Sequence, residues 1–126
     1  YEEAGIKTPR EEINLMEVHD CFSISELLTY ESLQISPMGK AKVDVEEGFY
    51  DFDGKIPCQS DGGLKCFGHP IGASGIRMVY EVYKQLQGKA DPVERQLKGP
   101  RLGLTHNHGG VCGSLVCSVG IFGNEI

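Results

Sequence analysis

The stretch Val111–Ile121 constrains the fold most. It is rich in Val, Leu, Cys and Gly and reads as a strand buried on both faces, which requires cover on each side of a sheet. Arg101–His106 reads as a second strand, and Ile13–Val18 as a short third one with Ile13, Leu15 and Val18 apolar. Helical patterns separate them. Ser23 and Glu26 fit a capping box with Phe22 and Leu27 placed for a hydrophobic staple, so a helix is expected from Ser23 to about Leu33 or Ile35. A second helix is expected from Pro70 to Gly88, with Ile76, Val79, Tyr80, Tyr83 and Leu86 as its inward stripe. Tyr1–Ile6 reads as the tail of a helix, Asp44–Pro57 as a loose hairpin or excursion, and Gln59–Gly68 as a polar loop. The order implies an α/β fold with a mixed β-sheet and helices packed on both faces.

The 126 residues suit a single domain, 1–126, with 40% hydrophobic and 24% charged side chains. A net charge of −6 argues against a nucleic-acid or anionic-membrane surface, since both need a basic face. No apolar run is long enough to span a bilayer. The start, Tyr1-Glu2-Glu3-Ala4, has neither the basic region nor the apolar core of a signal peptide. Five cysteines without a secretory signal suggest reduced thiols in the cytoplasm. The missing initiator Met and the helix tail with no helix before it suggest a fragment.

The four histidines fall at expected junctions between elements. His19 and Cys21 follow a strand and precede a helix, His69 precedes a helix, and His106 and His108 follow a strand. Ligands of α/β sheets bind at such ends. Cys21 would sit at the positive end of a helix dipole; the bland alternative is an inert core cysteine. His69, beside Gly68, Gly72, Ser74 and Gly75, reads either as a proton acceptor or as a plain cap. His106-Asn107-His108-Gly109-Gly110 reads as side-chain donors leading into a flexible turn whose N–H groups face an oxyanion, or as an ordinary glycine turn. His106, His108 and Cys21 are zinc-ligand types, but neither spacing nor ligand set is distinctive, so no metal is expected. Cys112 and Cys117 read as core, Tyr30, Tyr80 and Tyr83 as packing residues, and Cys58 and Cys66 receive no role.

Three motifs together resemble a known family. Val18-His19-Asp20-Cys21-Phe22 resembles the HDCF motif of sterol-carrier-type and archaeal thiolases. Gly68-His69-Pro70-Ile71-Gly72-Ala73-Ser74-Gly75, preceded by Ser60-Asp61-Gly62-Gly63-Leu64, resembles the thiolase GHP motif. His106-Asn107-His108-Gly109-Gly110 resembles the HNxG segment of the same relatives. The resemblance implies a thiolase-like fold, of which this chain is the C-terminal half without its opening strand. It implies transfer of acyl groups between coenzyme A thioesters, with coenzyme A as substrate, no cofactor, and a homo-oligomeric or partnered enzyme. By it, His69 takes the proton of the nucleophile, Cys21 shuttles the α-carbon proton, and His19 and Gly109 line oxyanion holes. Asn107 stands in place of the CxG cysteine. The nucleophilic cysteine belongs to the other half of the family's fold and is absent here, so the isolated chain is expected to be inactive. Two alternatives remain: a thiolase-like aldolase, which forms no acyl-enzyme, and a non-catalytic assembly module.

Overall fold

The computed structural model describes residues 1–111 and 114–124. Its elements are helix α1 (Pro9–Glu12), strand β1 (Leu15–Glu17), helices α2 (Ser23–Ser32), α3 (Ala41–Glu46), α4 (Gly63–Phe67) and α5 (Ser74–Leu86), a 3-10 turn at Val93–Arg95, and strands β2 (Leu102–Val111) and β3 (Ser114–Gly123). β2 is central. It pairs in parallel with β1, Leu15 opposite Gly103, and antiparallel with β3, His108 opposite Cys117. Pro57–Gln59 lies along the free edge of β1 through backbone bonds from Met16 and Gln59.

Period-two alternation along β1 divides the core between the two faces of the sheet. Met16 and Val18 join Tyr30, Leu33, Ile35, Tyr50, Ile56 and Leu104 on the α2/α3 side. Leu15 turns the other way, to Val82 and Leu86 of α5 and to Leu97. Helices therefore cover both faces, as an α/β architecture requires. α5 lies close to the sheet because Gly103 has no side chain: a Cβ there would stand 2.5 Å from Val82 Cγ1 and 3.1 Å from Leu15 Cδ2. Gly88, at φ +66°, is the left-handed residue after the helix.

Several expectations are corrected. α5 begins at Ser74, after a turn in which the N–H groups of Ala73 and Ser74 bond to the Pro70 carbonyl. Its buried face is Met78, Glu81, Val82, Gln85 and Leu86; Ile76 is 73% exposed, and Val79, Tyr80 and Tyr83 also face outward. The apolar stripe lost the core to polar residues because those residues have partners there. Gln85 donates to Glu81 and to the Arg95 carbonyl and accepts from the Leu97 N–H, while Arg95 pairs with Glu81 at 2.9 Å. A buried side-chain amide with its bonds satisfied is an acceptable core residue.

β3 is largely exposed rather than buried on both faces, with Val116 69% exposed and Leu115, Cys117 and Val119 likewise at the surface. Cys112 lies outside the described residues. Tyr1–Ile6 forms turns, not a helix. Asp44–Pro57 is the end of α3 followed by turns, so of the two expected forms it is an excursion and not a hairpin, and the Gln59–Gly68 loop contains α4. α2 does start at Ser23, but the Ser23 side chain caps nothing. Glu26 instead accepts from the Tyr30 hydroxyl, and Phe22 is too exposed to form a staple.

Candidate active site

Parallel pairing sets two site residues level. Leu15 lies opposite Gly103 and Glu17 opposite Thr105, so continuing that register by two residues brings His19 beside Asn107. Their side chains bond there, His19 Nδ1 to Asn107 Oδ1 at 2.8 Å. An amide oxygen only accepts, so Nδ1 is the donor, and the neutral tautomer that this bond selects has its lone pair on Nε2. Gly75 makes room for this contact, since a Cβ there would stand 2.7 Å from Asn107 Nδ2.

The turn before α5 fixes His69 in the same way. Ser74 Oγ gives its hydrogen to the Pro70 carbonyl at 3.2 Å and so accepts from His69 Nδ1 at 2.8 Å. The neutral tautomer that this bond selects has Nε2 of His69 as the acceptor. Its ring lies edge-on to that of His19, centroids 4.9 Å apart, and the His108 ring lies 4.2 Å from His19 on another side. A cavity of about 510 Å³ is lined by His19, His69, Ile71, Asn107, His108 and Gly109, among others. Cys21, in the bend before α2, places its sulfur within 4.8 Å of ring nitrogens of both His19 and His108.

His106 and His108 lie inside β2, and that strand runs on through Gly109 and Gly110 to Val111, so the expected flexible turn is not at the glycines. His106 is buried, with its Nδ1 unpartnered. Burial, together with the neighbouring His108 and His19, pushes its pKa down to about 4. Burial, then His19, lowers His108 as well. Both rings are therefore neutral near pH 7.

Three contributors were missed in the sequence. Asp20 Oδ1 accepts from the Leu64 N–H at 3.2 Å and ties the bend carrying Cys21 to the start of α4; Gly63, at φ +60°, allows the approach. Gln59 donates to the Val18 carbonyl at 2.6 Å, beside His19. Arg77 bridges Glu17 at 3.3 Å and also pairs with Asp61, linking α5 to β1 beneath the histidines. Burial pushes the Glu17 carboxyl up to about 8 against the pull of Arg77. Adjacency in the motifs was the available signal for Asp20 and for Ser74; nothing local marks Arg77.

Helices on both sides of β1 and β2, with two oriented imidazoles and a thiol at the C-terminal end of a parallel strand, define an α/β domain whose titratable groups gather at one end of its sheet. The sequence model of the "Thiolase C-terminal domain-like" family matches residues 1–122, and the chain belongs to that family. It is 46% identical over 103 residues to an acetyl-CoA acetyltransferase of Methanothermobacter thermautotrophicus, covering 82% of this chain and 26% of that protein. It is 42% identical over 109 residues to human sterol carrier protein 2, covering 86% and 19%. It is 38% identical over 112 residues to the benzoylsuccinyl-CoA thiolase subunit BbsB of Thauera aromatica, covering 89% and 28%. Among solved structures, the Ltp2-ChsH2(DUF35) aldolase shares the fold at TM-score 0.68 and 20% identity, covering 84% of this chain and 26% of that one. The chain thus spans less than a third of the length of each of these proteins. Among the described residues no helix is long and apolar enough to cross a membrane.

Proposed function

We propose that residues 1–126 serve as the C-terminal active-site part of a cytoplasmic thiolase that moves acyl groups between coenzyme A thioesters by Claisen condensation and thiolysis. The observation that carries the reading is the orientation of His19 and His69: each has its Nδ1–H engaged, by Asn107 and Ser74, and its Nε2 free beside one cavity. In this reading His69 Nε2 takes the proton of a nucleophilic thiol supplied by the rest of the enzyme. Cys21 moves the α-carbon proton of the second substrate. The Gly109 N–H donates to one thioester oxyanion. Neutral His19 accepts from a water through Nε2, and that water presents its other hydrogen to the second oxyanion. Asn107 holds His19 in the tautomer this needs. Coenzyme A enters as substrate, no further cofactor takes part, and the enzyme works as an oligomer.

The test uses the complete enzyme, incubated with labelled acetyl-CoA and examined for label on protein by mass spectrometry. His69→Ala is expected to block acylation. Cys21→Ala is expected to remain acylated while condensation slows by ~10²–10⁴, the usual cost of a lost general base. Acylation of His69→Ala but not of Cys21→Ala would reverse the two roles. Turnover with no labelled protein at all would favour the aldolase reading over the thiolase one.

A further inference from the structure

Spacing along β2 suggested His106 with His108 as the pair that might meet Cys21, and that set gave no reason to expect a metal. The folded chain selects a different set. His106 is buried, whereas His19, from the other strand, stands with Cys21 and His108 so that one nitrogen or sulfur of each lies within 4.8 Å of the other two. We propose that His19, Cys21 and His108 form a reversible binding site for a soft divalent cation, zinc above all, which caps the Cys21 sulfur beside the cavity.

The donor set is one sulfur and two imidazole nitrogens, the borderline-soft combination zinc prefers, with a fourth position left to water. Ligands of a tetrahedral zinc lie roughly 3.5 Å apart, so donor atoms that lie within 4.8 Å of one another need to close by about an ångström to bind one ion. His19 is prepared for the role. Its Nδ1–H is held by Asn107 Oδ1 at 2.8 Å, the kind of outer bond that orients a metal-binding imidazole and fixes its tautomer. The free nitrogen is Nε2. Access is open, because Cys21 and His108 are half-buried and His108 lines the 510 Å³ cavity. The balance is simple: the Cys21 thiol loses its proton to solvent, the sulfur binds the cation, and nothing is oxidised. A sulfur so bound can no longer exchange a proton with substrate. Binding is independent of the acid/base role given to Cys21; only the inhibition that would follow rests on that role.

The test is titration of the 126-residue chain with zinc chloride by calorimetry, beside His108→Ala, Cys21→Ser and a Cys66→Ser/Cys117→Ser double variant. Wild type and the double variant are expected to bind a single ion alike. Cys21→Ser and His108→Ala should weaken binding at least ~10-fold, and Asn107→Ala should do so ~10–100-fold through loss of the outer bond. In parallel, iodoacetamide labelling of wild type is followed peptide by peptide. Zinc should protect Cys21, and a chelator should restore its labelling; this arm decides if a variant fails to fold. Absence of zinc binding, binding indifferent to His108→Ala, or binding lost in the double variant instead would overturn the proposal, as would unchanged labelling of Cys21.

Discussion

His19 and Asn107 are 88 residues apart in the chain yet share a 2.8 Å hydrogen bond, because each stands four residues beyond a partner in the pairing of Leu15 with Gly103. The bond depends on the absence of a side chain at Gly75, which no reacting group touches. Gly75→Ala should leave stability within about 1 kcal/mol of wild type. Alanine is the better helix former by up to about that amount, and the clash falls on the mobile end of a side chain, Asn107 Nδ2, at 2.7 Å. The same clash should turn Asn107 away from His19. Nitrogen NMR should then show the His19 ring leaving its Nδ1–H tautomer. In the complete enzyme, a displacement of this kind should cost about 10² in rate. A wild-type tautomer in Gly75→Ala would show that the contact does not orient His19.

Acid should weaken the α1–α3 corner through Asp44. Arg10 binds that carboxylate with two bonds of 2.8 Å, and Ser36 adds a third. The bonds from Arg10 are the main reason its pKa lies below the ordinary carboxylate value, with Ser36 assisting and burial opposing. The unfolded chain therefore takes up this proton first as pH falls. The stabilisation is present above the ordinary carboxylate range and disappears as pH drops through the folded value. Asp44→Asn should lose about 2 kcal/mol near neutral pH. Urea denaturation across a pH series should show a shallower acid decline for the variant than for wild type. Parallel curves would mean that Asp44 does not drive the acid response.

The outward apolar residues of α5 and β3 should make the isolated chain associate. Ile76, Tyr80 and Tyr83 on α5, and Leu115, Val116 and Val119 on β3, are all exposed, and large apolar patches on a soluble chain mark interaction surfaces. Light scattering should show mass rising with concentration, and a hydrophobic dye should bind. Ile76→Ser/Tyr80→Ser/Val116→Ser should remove most of both signals. A wild-type chain that stays monomeric at high concentration and binds no dye would refute this.

The existence of the main strands and of the two longer helices was legible in the sequence, because periodicity and glycine stops are local signals. Which face of α5 turns inward was not. Ile76, Val79, Tyr80 and Tyr83 make the better apolar stripe, and only the distant Arg95, Leu97 and Gln96 reveal why Glu81 and Gln85 lie beneath the helix. For β3, apolar content was taken as burial within this chain, whereas the strand lies at the edge of the described sheet. The clustering of the candidate residues was legible in part. His19, His69, Asn107 and Gly109 were marked by motif adjacency, and all four line one cavity. That His19 rather than His106 joins His108 and Cys21 was hidden, because it depends on the register of β1 against β2 and not on spacing within either segment.

That register also has a consequence in time. The first third of the chain holds β1, and β1 has no strand neighbour in the sheet until β2, the second-to-last element, is in place. Closing so long a loop must precede any reward from the contact, which makes such pairings slow to form. During synthesis, His19 and Cys21 are made before α2 to α5 and wait for β2, which follows those helices. The cavity is thus among the last features of this segment to form, and a polypeptide that ends before Leu102 carries both residues without the strand that completes their surroundings.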